Sequence, residues 1–476
     1  MKQTLKSTIY DHFSLTPTEQ QAKTIVNLVN FTLEEVQFPT FILSGYAGTG
    51  KTTLVGAYIQ AMTELKLKTF LMAPTGRAAK VLSSRAKKQV LTIHKKIYRK
   101  QTQAGGIIQL VVSPNLHKHT VFIVDEASMI GEHSLTNDGG GVTRNLLSDL
   151  MEFVFSGEGC KLIFVGDEGQ LPPVGSDYSP ALDKRYLKAN FFSIQLTESR
   201  LTEVVRQSLE SDILLNASKL RNYQGEKFPV IEITGQKDVV RLQGDELQDE
   251  LERAYSDYSF DDVMIITKSN KRANLYNHNV RNRILYREEE LCGGDRLMVV
   301  RNNYFWLEES SEAGFIANGE MLKLNRILRQ ETLYGFTFVT ARVELIDYPN
   351  VGNFEVILIL ETLNIETPNL PRTEMKKLFF ALEQEYAYER NQKKRYELIT
   401  KNPYFNALQV KYAYAVTCHK SQGGQWPVVF LDHDYLTEEM LDQPFFRWLY
   451  TGFTRASEKL YLVNFHKEFF GESFLI

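Results

Sequence analysis

Residues 45–52 constrain the fold of this chain more than any other segment, because their sequence is GYAGTGKT. This is the spacing G-x-x-x-x-G-K-[ST], and it follows the apolar run 41–43 and precedes the helical pattern 54–59. Glycines allow the backbone to turn its N–H groups toward phosphate oxygens, and the positive end of the following helix reinforces the binding of an anion. The sequence therefore predicts a strand, a phosphate-binding loop and a helix in a nucleotide-binding α/β domain.

The loop supplies most of the residues expected to hold a nucleoside triphosphate. Lys51 is expected to reach the β- and γ-phosphates, and the Thr52 hydroxyl is expected to ligate Mg²⁺. The expected nucleotide-binding set within the loop is Gly48, Thr49, Gly50, Lys51, Thr52 and Thr53. The pattern predicts ATP and Mg²⁺ as cofactors, and it leaves open what the energy of hydrolysis is used for.

Composition sets broad limits on the class of protein. A length of 476 residues suggests two to four domains, and 43% hydrophobic residues is ordinary for a globular protein. The sequence has no apolar stretch of about 18 residues and no apolar secretion signal near Met1, so we expect no membrane span and a cytoplasmic location. Cys160, Cys292 and Cys418 lack metal-ligand spacing and fit reduced thiols. The net charge of −3 counts mildly against a nucleic-acid binder but permits a local basic groove.

Alternating strand and helix patterns predict a first α/β domain over residues 1–200. Apolar runs at 41–43, 69–73, 121–124 and 162–165 are separated by helical patterns, which is typical of a parallel sheet covered on both faces. The alternation breaks at about 97–119, where we predict a small hairpin insertion.

A second α/β domain is predicted from residues 201–290 and 403–476, with a strand at 412–416. The intervening part, 291–402, has a different character. Its first portion, 293–363, is rich in strand patterns and turn residues and predicts a small β-barrel. Its second portion, 372–401, is helical and strongly charged, which is typical of a solvated helix face. The predicted fold is thus α/β, with two nucleotide-binding-type domains, an inserted hairpin and an inserted barrel.

Polar residues follow two further apolar strands of the first domain. Asp125 and Glu126 end the run 121–124, and Gln170 lies in a loop after the run 162–165. Ligands bind beyond the carboxyl ends of strands in such sheets, so these side chains are expected near the phosphate loop. Asp125 is expected to hold Mg²⁺ together with Thr52, Glu126 to polarise the attacking water, and Gln170 to sense the γ-phosphate.

Two arginines are expected to complete the catalytic set. Arg206 lies in the segment LTEVVRQ, residues 201–207, and Arg455 lies in YTGFTR, residues 450–455. An arginine that faces the γ-phosphate stabilises the charge of the transition state for phosphoryl transfer.

Taken together, these segments resemble the superfamily 1B helicases of the RecD/Dda type over nearly the whole chain. Residues 125–128 and 166–175 fit the family's motifs II and III, and 415–423, with the sequence AVTCHKSQG, resembles motif V. The turn 318–320, NGE, resembles one that is common in RecD-like proteins. The resemblance implies two RecA-like domains with ATP between them, and it implies that residues 97–119 form a wedge or pin and that 372–401 form an extension which braces it.

Further site residues follow from the resemblance alone. Residues 15–22, LTPTEQQA, resemble the adenine-reading motif, with Gln20 as the favoured reader and Gln21 as its rival. Aromatic residues such as Tyr98, Tyr404, Phe405 and Trp426 either stack on bases or pack in the protein. The DNA-contacting set implied by the resemblance is Pro74, Thr75, Arg77, Thr92, His94, Thr417, His419 and Lys420.

The resemblance implies an ATP-dependent helicase that moves 5′ to 3′ on single-stranded DNA and separates duplex at a junction. It implies a monomer, with single-strand-binding, recombination or replication proteins as candidate partners and no membrane partner. DNA repair and recombination are the processes it suggests, without a choice between them. Two alternatives stay open at this point, an RNA helicase of the related Upf-type branch and a nucleic-acid-stimulated ATPase that does not unwind. A kinase is disfavoured, because it would not need the loop 417–423 or two distant arginines.

Overall fold

The computed structural model describes residues 1–13, 15–102, 108–132, 145–205, 211–221, 223, 228–235, 237–308 and 311–472. Its first domain is built on a six-stranded parallel sheet with the order β3-β2-β6-β7-β1-β8. The strands of this sheet are β1 (Pro39–Gly45), β2 (Lys68–Ala73), β3 (Val90–Thr92), β6 (Thr120–Val124), β7 (Lys161–Gly166) and β8 (Gln195–Leu201).

Both faces of the first sheet are buried, which is why its strands read as continuous apolar runs. Phe41 and Leu43 point into one hydrophobic core, whereas Ile42 between them points into the other, together with Phe122 and Phe164. The helices of this domain are α1 (Lys2–Asp11), α2 (Glu19–Leu33), α3 (Lys51–Glu64), α4 (Gly76–Ala86), α5 (Ile93–Ile97), α6 (Leu146–Phe155) and α7 (Lys184–Asn190).

A two-stranded antiparallel hairpin leaves the first domain directly after α5. Its strands are β4 (Tyr98–Thr102) and β5 (Ile108–Val112), and the N–H of Ser113 donates to the carbonyl of Ile97 at the base of the hairpin. The hairpin lies within the predicted insertion 97–119.

The second domain is a five-stranded parallel sheet with the order β16-β10-β17-β18-β9. Its strands are β9 (Val239–Leu242), β10 (Val263–Thr267), β16 (Ala415–Thr417), β17 (Trp426–Asp432) and β18 (Ala456–Val463). Its helices are α8 (Asp212–Leu220), α9 (Leu247–Asp257), α10 (Asn270–Asn279), α13 (Cys418–Ser421) and α14 (Gln443–Phe453). The predicted fold class, two parallel α/β domains with an inserted barrel, is confirmed.

The barrel is closed and has five strands, of which four lie within the segment 293–363 that predicted it. They are β11 (Arg296–Val299), β12 (Met321–Leu333), β13 (Phe336–Leu345), β14 (Asn353–Ile359) and β15 (Leu408–Tyr412). The single strand predicted at 412–416 is wrong, because the chain pairs with β11 up to Tyr412 and with β10 only from Ala415. The return to the second domain therefore comes after residue 412 rather than at 403. The apolar run is continuous across this change, so the run alone could not reveal it.

The charged segment 372–401 forms two helices, α11 (Arg372–Glu385) and α12 (Gln392–Thr400). Leu378, Leu382 and Ile399 pack against Phe336 and Phe338 on the outside of the barrel. The remaining, charged positions of these helices are mostly exposed, as predicted. Within the described residues, no helix combines the length and apolar character that a bilayer span requires.

Candidate active site

The phosphate loop joins the end of β1 to the start of α3, as predicted. Gly48 and Gly50 adopt φ values of +74° and +77°, which L side chains rarely tolerate. A Cβ atom on Gly50 would lie 2.5 Å from Nε2 of Gln21, so the end of that side chain would have to shift from its bond to the carbonyl of Thr49. The loop therefore owes its shape to its glycines and to the packing of α2 against it.

Lys51 is folded back onto the phosphate loop in this structure. Its Nζ donates to the carbonyls of Gly45 and Tyr46 at 2.5 and 2.8 Å, and lies 3.9 Å from Oδ2 of Asp167. The ammonium group is thus held over the loop by two dipoles and one carboxylate. A phosphate bound in the loop would replace the carbonyls of Gly45 and Tyr46 as the partner of Lys51.

The loop opens into a cavity of about 880 Å³ between the two α/β domains, a volume within the usual range for a ligand site. The first domain contributes the phosphate loop and the ends of β6 and β7, and the second contributes the segments 423–425 and 454–457. The predicted site residues that line this cavity are Gly48, Gly50, Lys51, Thr52, Thr53, Asp125, Glu126, Gln170 and Arg455. Thr49 is buried beneath the loop, where its hydroxyl donates to the carbonyl of Tyr46.

Asp125 and Glu126 follow β6 and face the cavity. Oδ1 of Asp125 accepts the N–H of Glu126 at 2.9 Å, and Glu126 adopts a left-handed φ of +53°. Burial raises the pKa of both carboxyls; Arg455 opposes the rise at Glu126, and the N–H of Glu126 and Lys51 oppose it at Asp125. A raised pKa suits Glu126 to accept a proton. Thr52 and Asp125 present oxygen ligands on one cavity wall, which is the donor type that Mg²⁺ requires.

Gln170 has the character expected of a sensor. It is 6% exposed, and its Oε1 is buried with no hydrogen-bond partner among the described residues. Buried polar atoms are normally partnered, so an orphaned amide oxygen at a cavity wall indicates a missing ligand.

Arg455 is brought to the cavity from the second domain. It is 3% exposed, and its guanidinium donates to the carbonyls of Thr451 and Gly424 at 3.1 and 2.9 Å and to Oγ1 of Thr454 at 3.1 Å. These bonds fix the group before any nucleotide binds. Arg206, the second predicted arginine, lies outside the described residues.

The two glutamines proposed to read adenine are both engaged by the protein. Gln21 caps α2 by accepting the N–H of Thr18 at 2.9 Å, and its Nε2 donates to the carbonyl of Thr49 at 2.9 Å. Gln20 accepts the N–H of Thr202 at 2.7 Å and donates to its Oγ1 at 2.9 Å. Gln21 therefore supports the phosphate loop, and either glutamine would contact a base only by giving up one of these bonds.

The predicted DNA-contacting threonines lie at the carboxyl ends of strands, as expected. Oγ1 of Thr75 accepts the N–H of Ala78 at the start of α4, and Oγ1 of Thr92 accepts the N–H of Lys95 at the start of α5. Thr417 begins α13 and makes no side-chain cap. Pro74 precedes Thr75 and is half-buried.

The basic residues of the same set are more enclosed than the sequence suggested. The pKa of Lys420 is lowered to about 8 by burial and by Lys411, and its Nζ is buried without a partner among the described residues. Burial also lowers the pKa of His419. His94 is half-buried against Tyr98 and Phe315, and burial lowers its pKa to about 4.

Arg77 makes contacts that sequence reasoning missed. Its Nη1 lies 3.6 Å from Oδ1 of Asp347 in the barrel, and its guanidinium lies 5.0 Å from the centroid of Trp426 in the second domain. Asp347 is also 3.2 Å from Nζ of Lys80, and both carboxylate oxygens lack a hydrogen bond within the described residues. Nothing in the residues around Asp347 signals this contact, which arises only from the barrel's position.

The aromatic residues considered for base stacking are packed in the protein. Tyr404 and Phe405 lie against the barrel and α11, and Tyr98 and Trp426 are largely buried in the cores of the two domains. The packing alternative therefore describes this structure. The cysteines are free thiols, and Cys160 and Cys418 are buried.

Comparisons with known proteins agree with this architecture. A family model described as an AAA domain matches residues 18–245, and one described as a UvrD-like helicase C-terminal domain matches residues 412–463. The chain is 28% identical over 330 residues to the ATP-dependent DNA helicase dda of Enterobacteria phage T4, which covers 67% of this chain and 69% of that protein.

Two further relatives extend the comparison. The ATP-dependent RecD2 DNA helicase of Deinococcus radiodurans is 29% identical over 179 residues, covering 38% of this chain and 21% of that protein. The crystal structure of Pif1 helicase from Bacteroides in complex with ADP-AlF3 and single-stranded DNA is 16% identical, covers 95% of this chain and 93% of that one, and has a TM-score of 0.47.

The first family model spans the whole sheet of the first domain and the second model spans β16, β17 and β18 of the second domain, and residues from both matched segments line the cavity. Together, the two family models and the similarity to the dda and RecD2 helicases support a superfamily 1B helicase.

Proposed function

We propose that this chain uses ATP hydrolysis to move 5′ to 3′ along single-stranded DNA and to separate duplex at single-strand/duplex junctions. One observation carries the proposal: Lys51 and Glu126 of the first domain and Arg455 of the second face the same cavity. A nucleotide bound there would contact both domains at once, so its hydrolysis would change the contact between them. The direction of movement follows from the family resemblance.

Each cavity residue has a defined part in the proposed hydrolysis. Lys51 leaves the carbonyls of Gly45 and Tyr46 for the phosphates, while Glu126 accepts a proton from the attacking water. Arg455 offsets the charge that develops on the γ-phosphate. Thr52 and Asp125 would hold Mg²⁺, which neutralises phosphate charge and orients the chain of phosphates.

Movement would come from alternating grip at the carboxyl ends of the strands. Thr75 and Thr92 belong to the first domain and Thr417 to the second. The distance between these DNA-phosphate-binding loops would therefore change when the nucleotide cavity between the domains closes. Such contacts do not read sequence. The hairpin of β4 and β5 is placed beside α5 and would serve as the wedge that splits a duplex.

A strand-displacement assay on matched duplexes with a 5′ or a 3′ single-stranded tail tests the proposal. We expect unwinding from the 5′ tail only, in the presence of ATP and Mg²⁺, and none with the variant Lys51→Ala. Unwinding from the 3′ tail only would overturn the direction and keep the motor. ATPase stimulated by single strands without displacement from either tail would overturn the helicase proposal in favour of a non-unwinding ATPase.

The type of nucleic acid is tested by the same variants. ATPase stimulation by single-stranded DNA is expected to exceed stimulation by RNA of the same sequence, and the reverse result would favour the Upf-type alternative. Action as a monomer in the cytoplasm stays a prediction from the sequence, which gel filtration and cell fractionation would test.

A further inference from the structure

The hydroxyl of Tyr450 joins the two motor domains at the phosphate loop. Tyr450 lies on α14 of the second domain and is 1% exposed. Its hydroxyl oxygen accepts the N–H of Ala47 at 2.8 Å and donates to Oδ2 of Asp167 at 2.7 Å. One buried oxygen atom is therefore bound both to the phosphate loop and to the loop after β7.

Asp167 links the Tyr450 hydroxyl to the phosphate-loop lysine. The carboxylate is 2% exposed, accepts the N–H of Gly169 at 2.9 Å through Oδ1 and lies 3.9 Å from Nζ of Lys51 through Oδ2. The same oxygen thus faces the Tyr450 hydroxyl and the lysine that is to meet the phosphates. A Cβ atom on Gly169 would lie 3.1 Å from the Tyr450 ring, so the loop is fitted closely to that ring.

Residues of α14 also contact Arg455. Oγ1 of Thr451 accepts the N–H of Leu171 at 2.8 Å, and its carbonyl accepts from Nε of Arg455 at 3.1 Å. Tyr450 and Thr451 therefore fasten α14 to the first domain at adjacent positions. The place of the Arg455 guanidinium relative to the phosphate loop depends on this attachment, because the arginine follows directly from the end of α14.

We propose that Tyr450 is a positioning residue for ATP hydrolysis, whose hydroxyl holds α14 in the register that aligns Arg455 with the phosphate loop. The proposal rests on the proposed function only in that the cavity hydrolyses ATP between the two domains. Tyr450 acts through the alignment of Arg455, and it takes no part in the chemistry. Removal of its hydroxyl leaves the ring packed and loosens the alignment.

The variant Tyr450→Phe tests this in steady-state ATPase assays with and without single-stranded DNA. We expect kcat to fall by a factor of about ten, which is the rate equivalent of one buried hydrogen bond, while KM for ATP changes by less than about twofold. The control is Tyr461→Phe, since Tyr461 is a buried tyrosine on β18 of the same domain whose hydroxyl donates to Glu250 at 2.9 Å, away from the cavity. That variant is expected to keep both constants.

A double-mutant cycle separates positioning from a general loss of packing. If Tyr450 acts through Arg455, Tyr450→Phe costs less than about twofold in a background of Arg455→Lys, because the alignment that it supports is already lost. Equal losses in the two backgrounds, or a raised KM with kcat unchanged, would overturn the proposal. Thermal unfolding is measured for all the variants. Midpoints equal to that of Tyr461→Phe would show that the loss of activity does not come from a loss of folded protein.

The readout is independent of strand separation. If the wild-type protein hydrolyses ATP but displaces no strand, the proposed helicase function fails, and the Tyr450 test can still be carried out. If the wild type unwinds and Tyr450→Phe equals it in kcat, the positioning role fails and the helicase function stands.

Discussion

The nucleotide cavity and the edge proposed to meet nucleic acid, where Thr75, Arg77 and Thr92 lie, differ in the elements that contact their polar side chains. Among the residues that the structure describes, the buried amide oxygen of Gln170 in the cavity has no hydrogen-bond partner, and Lys51 contacts its own loop and Asp167. At the edge, Thr75 and Thr92 cap helices and Arg77 is engaged by Asp347 and Trp426.

The difference indicates how each site would meet its ligand. The walls of the cavity are already formed, so nucleotide binding requires little rearrangement beyond the release of Lys51 from the carbonyls of Gly45 and Tyr46. The edge is partly closed by the barrel, since Asp347 and the carbonyls of Ser311 and Glu312 hold side chains of the first domain. DNA would have to displace these contacts, which links its binding to movement of the barrel.

The largest expected effect concerns the arginine that the second domain brings to the cavity. Arg455→Ala is expected to lower the ATPase kcat by about 10³–10⁵, because it removes charge that stabilises the transition state. Arg447→Ala is the matched control, as Arg447 lies on the same helix and donates to the carbonyl of Asp177 outside the cavity lining. Steady-state ATPase assays measure both. If Arg455→Ala weakened nucleotide binding and left kcat unchanged, Arg455 would bind the nucleotide without stabilising the transition state, and the prediction would be wrong.

The next effect concerns the general base. Glu126→Gln is expected to lower kcat by about 10²–10⁴ while nucleotide binding persists, because the amide cannot accept a proton from water. Glu132→Gln, at an exposed carboxylate bonded to Tyr178, is the control. Titration with a fluorescent ATP analogue and single-turnover hydrolysis separate binding from chemistry. Normal hydrolysis by Glu126→Gln would assign the base elsewhere.

A smaller effect is expected at the edge, where removal of a competing carboxylate should favour DNA. Asp347→Asn is expected to tighten binding of single-stranded DNA by a factor of about five, which is the value of one modest ion pair. The substitution keeps the size of the side chain and frees Arg77 and Lys80 for phosphate. The control Asp261→Asn breaks a pair with Arg296 at another barrel position. Fluorescence anisotropy gives both affinities, and weaker binding by Asp347→Asn would show that the barrel contact assists DNA rather than competing with it.

The smallest effect concerns the stability of the enclosed edge. Burial lowers the pKa of Lys420 to about 8. Below that pH the folded protein holds a buried, charged ammonium group, which lowers the free energy of unfolding. The unfolded chain holds its proton up to a pH of about 10.4, so this penalty is full below pH 8 and declines as the pH rises toward 10.4. Lys420→Met is therefore expected to raise the thermal midpoint by a few degrees at pH 7 and by less at pH 10. The exposed Lys401→Met is the control. An equal gain at both pH values would contradict the burial of a charged Lys420.

The sequence determined the features that depend on residues close together in the chain. The phosphate loop, the two acidic residues after β6 and the four apolar strands β1, β2, β6 and β7 were predicted, because glycine spacing and side-chain periodicity indicate local backbone conformation. Arg455 was expected in the catalytic set from its motif YTGFTR, but apolar periodicity does not distinguish it from a surface arginine, and its contact with the cavity depends on how the two domains pack.

Only the tertiary structure decided which distant groups share a contact. Tyr450 and Asp167 are 283 residues apart, and Asp347 meets Arg77 only because the closed barrel rests on α4. The boundary between β15 and β16 escaped prediction for the same reason, as one apolar run serves two different sheets. Apolar periodicity specifies that a residue is buried, and the packing of whole domains specifies which partner it is buried against.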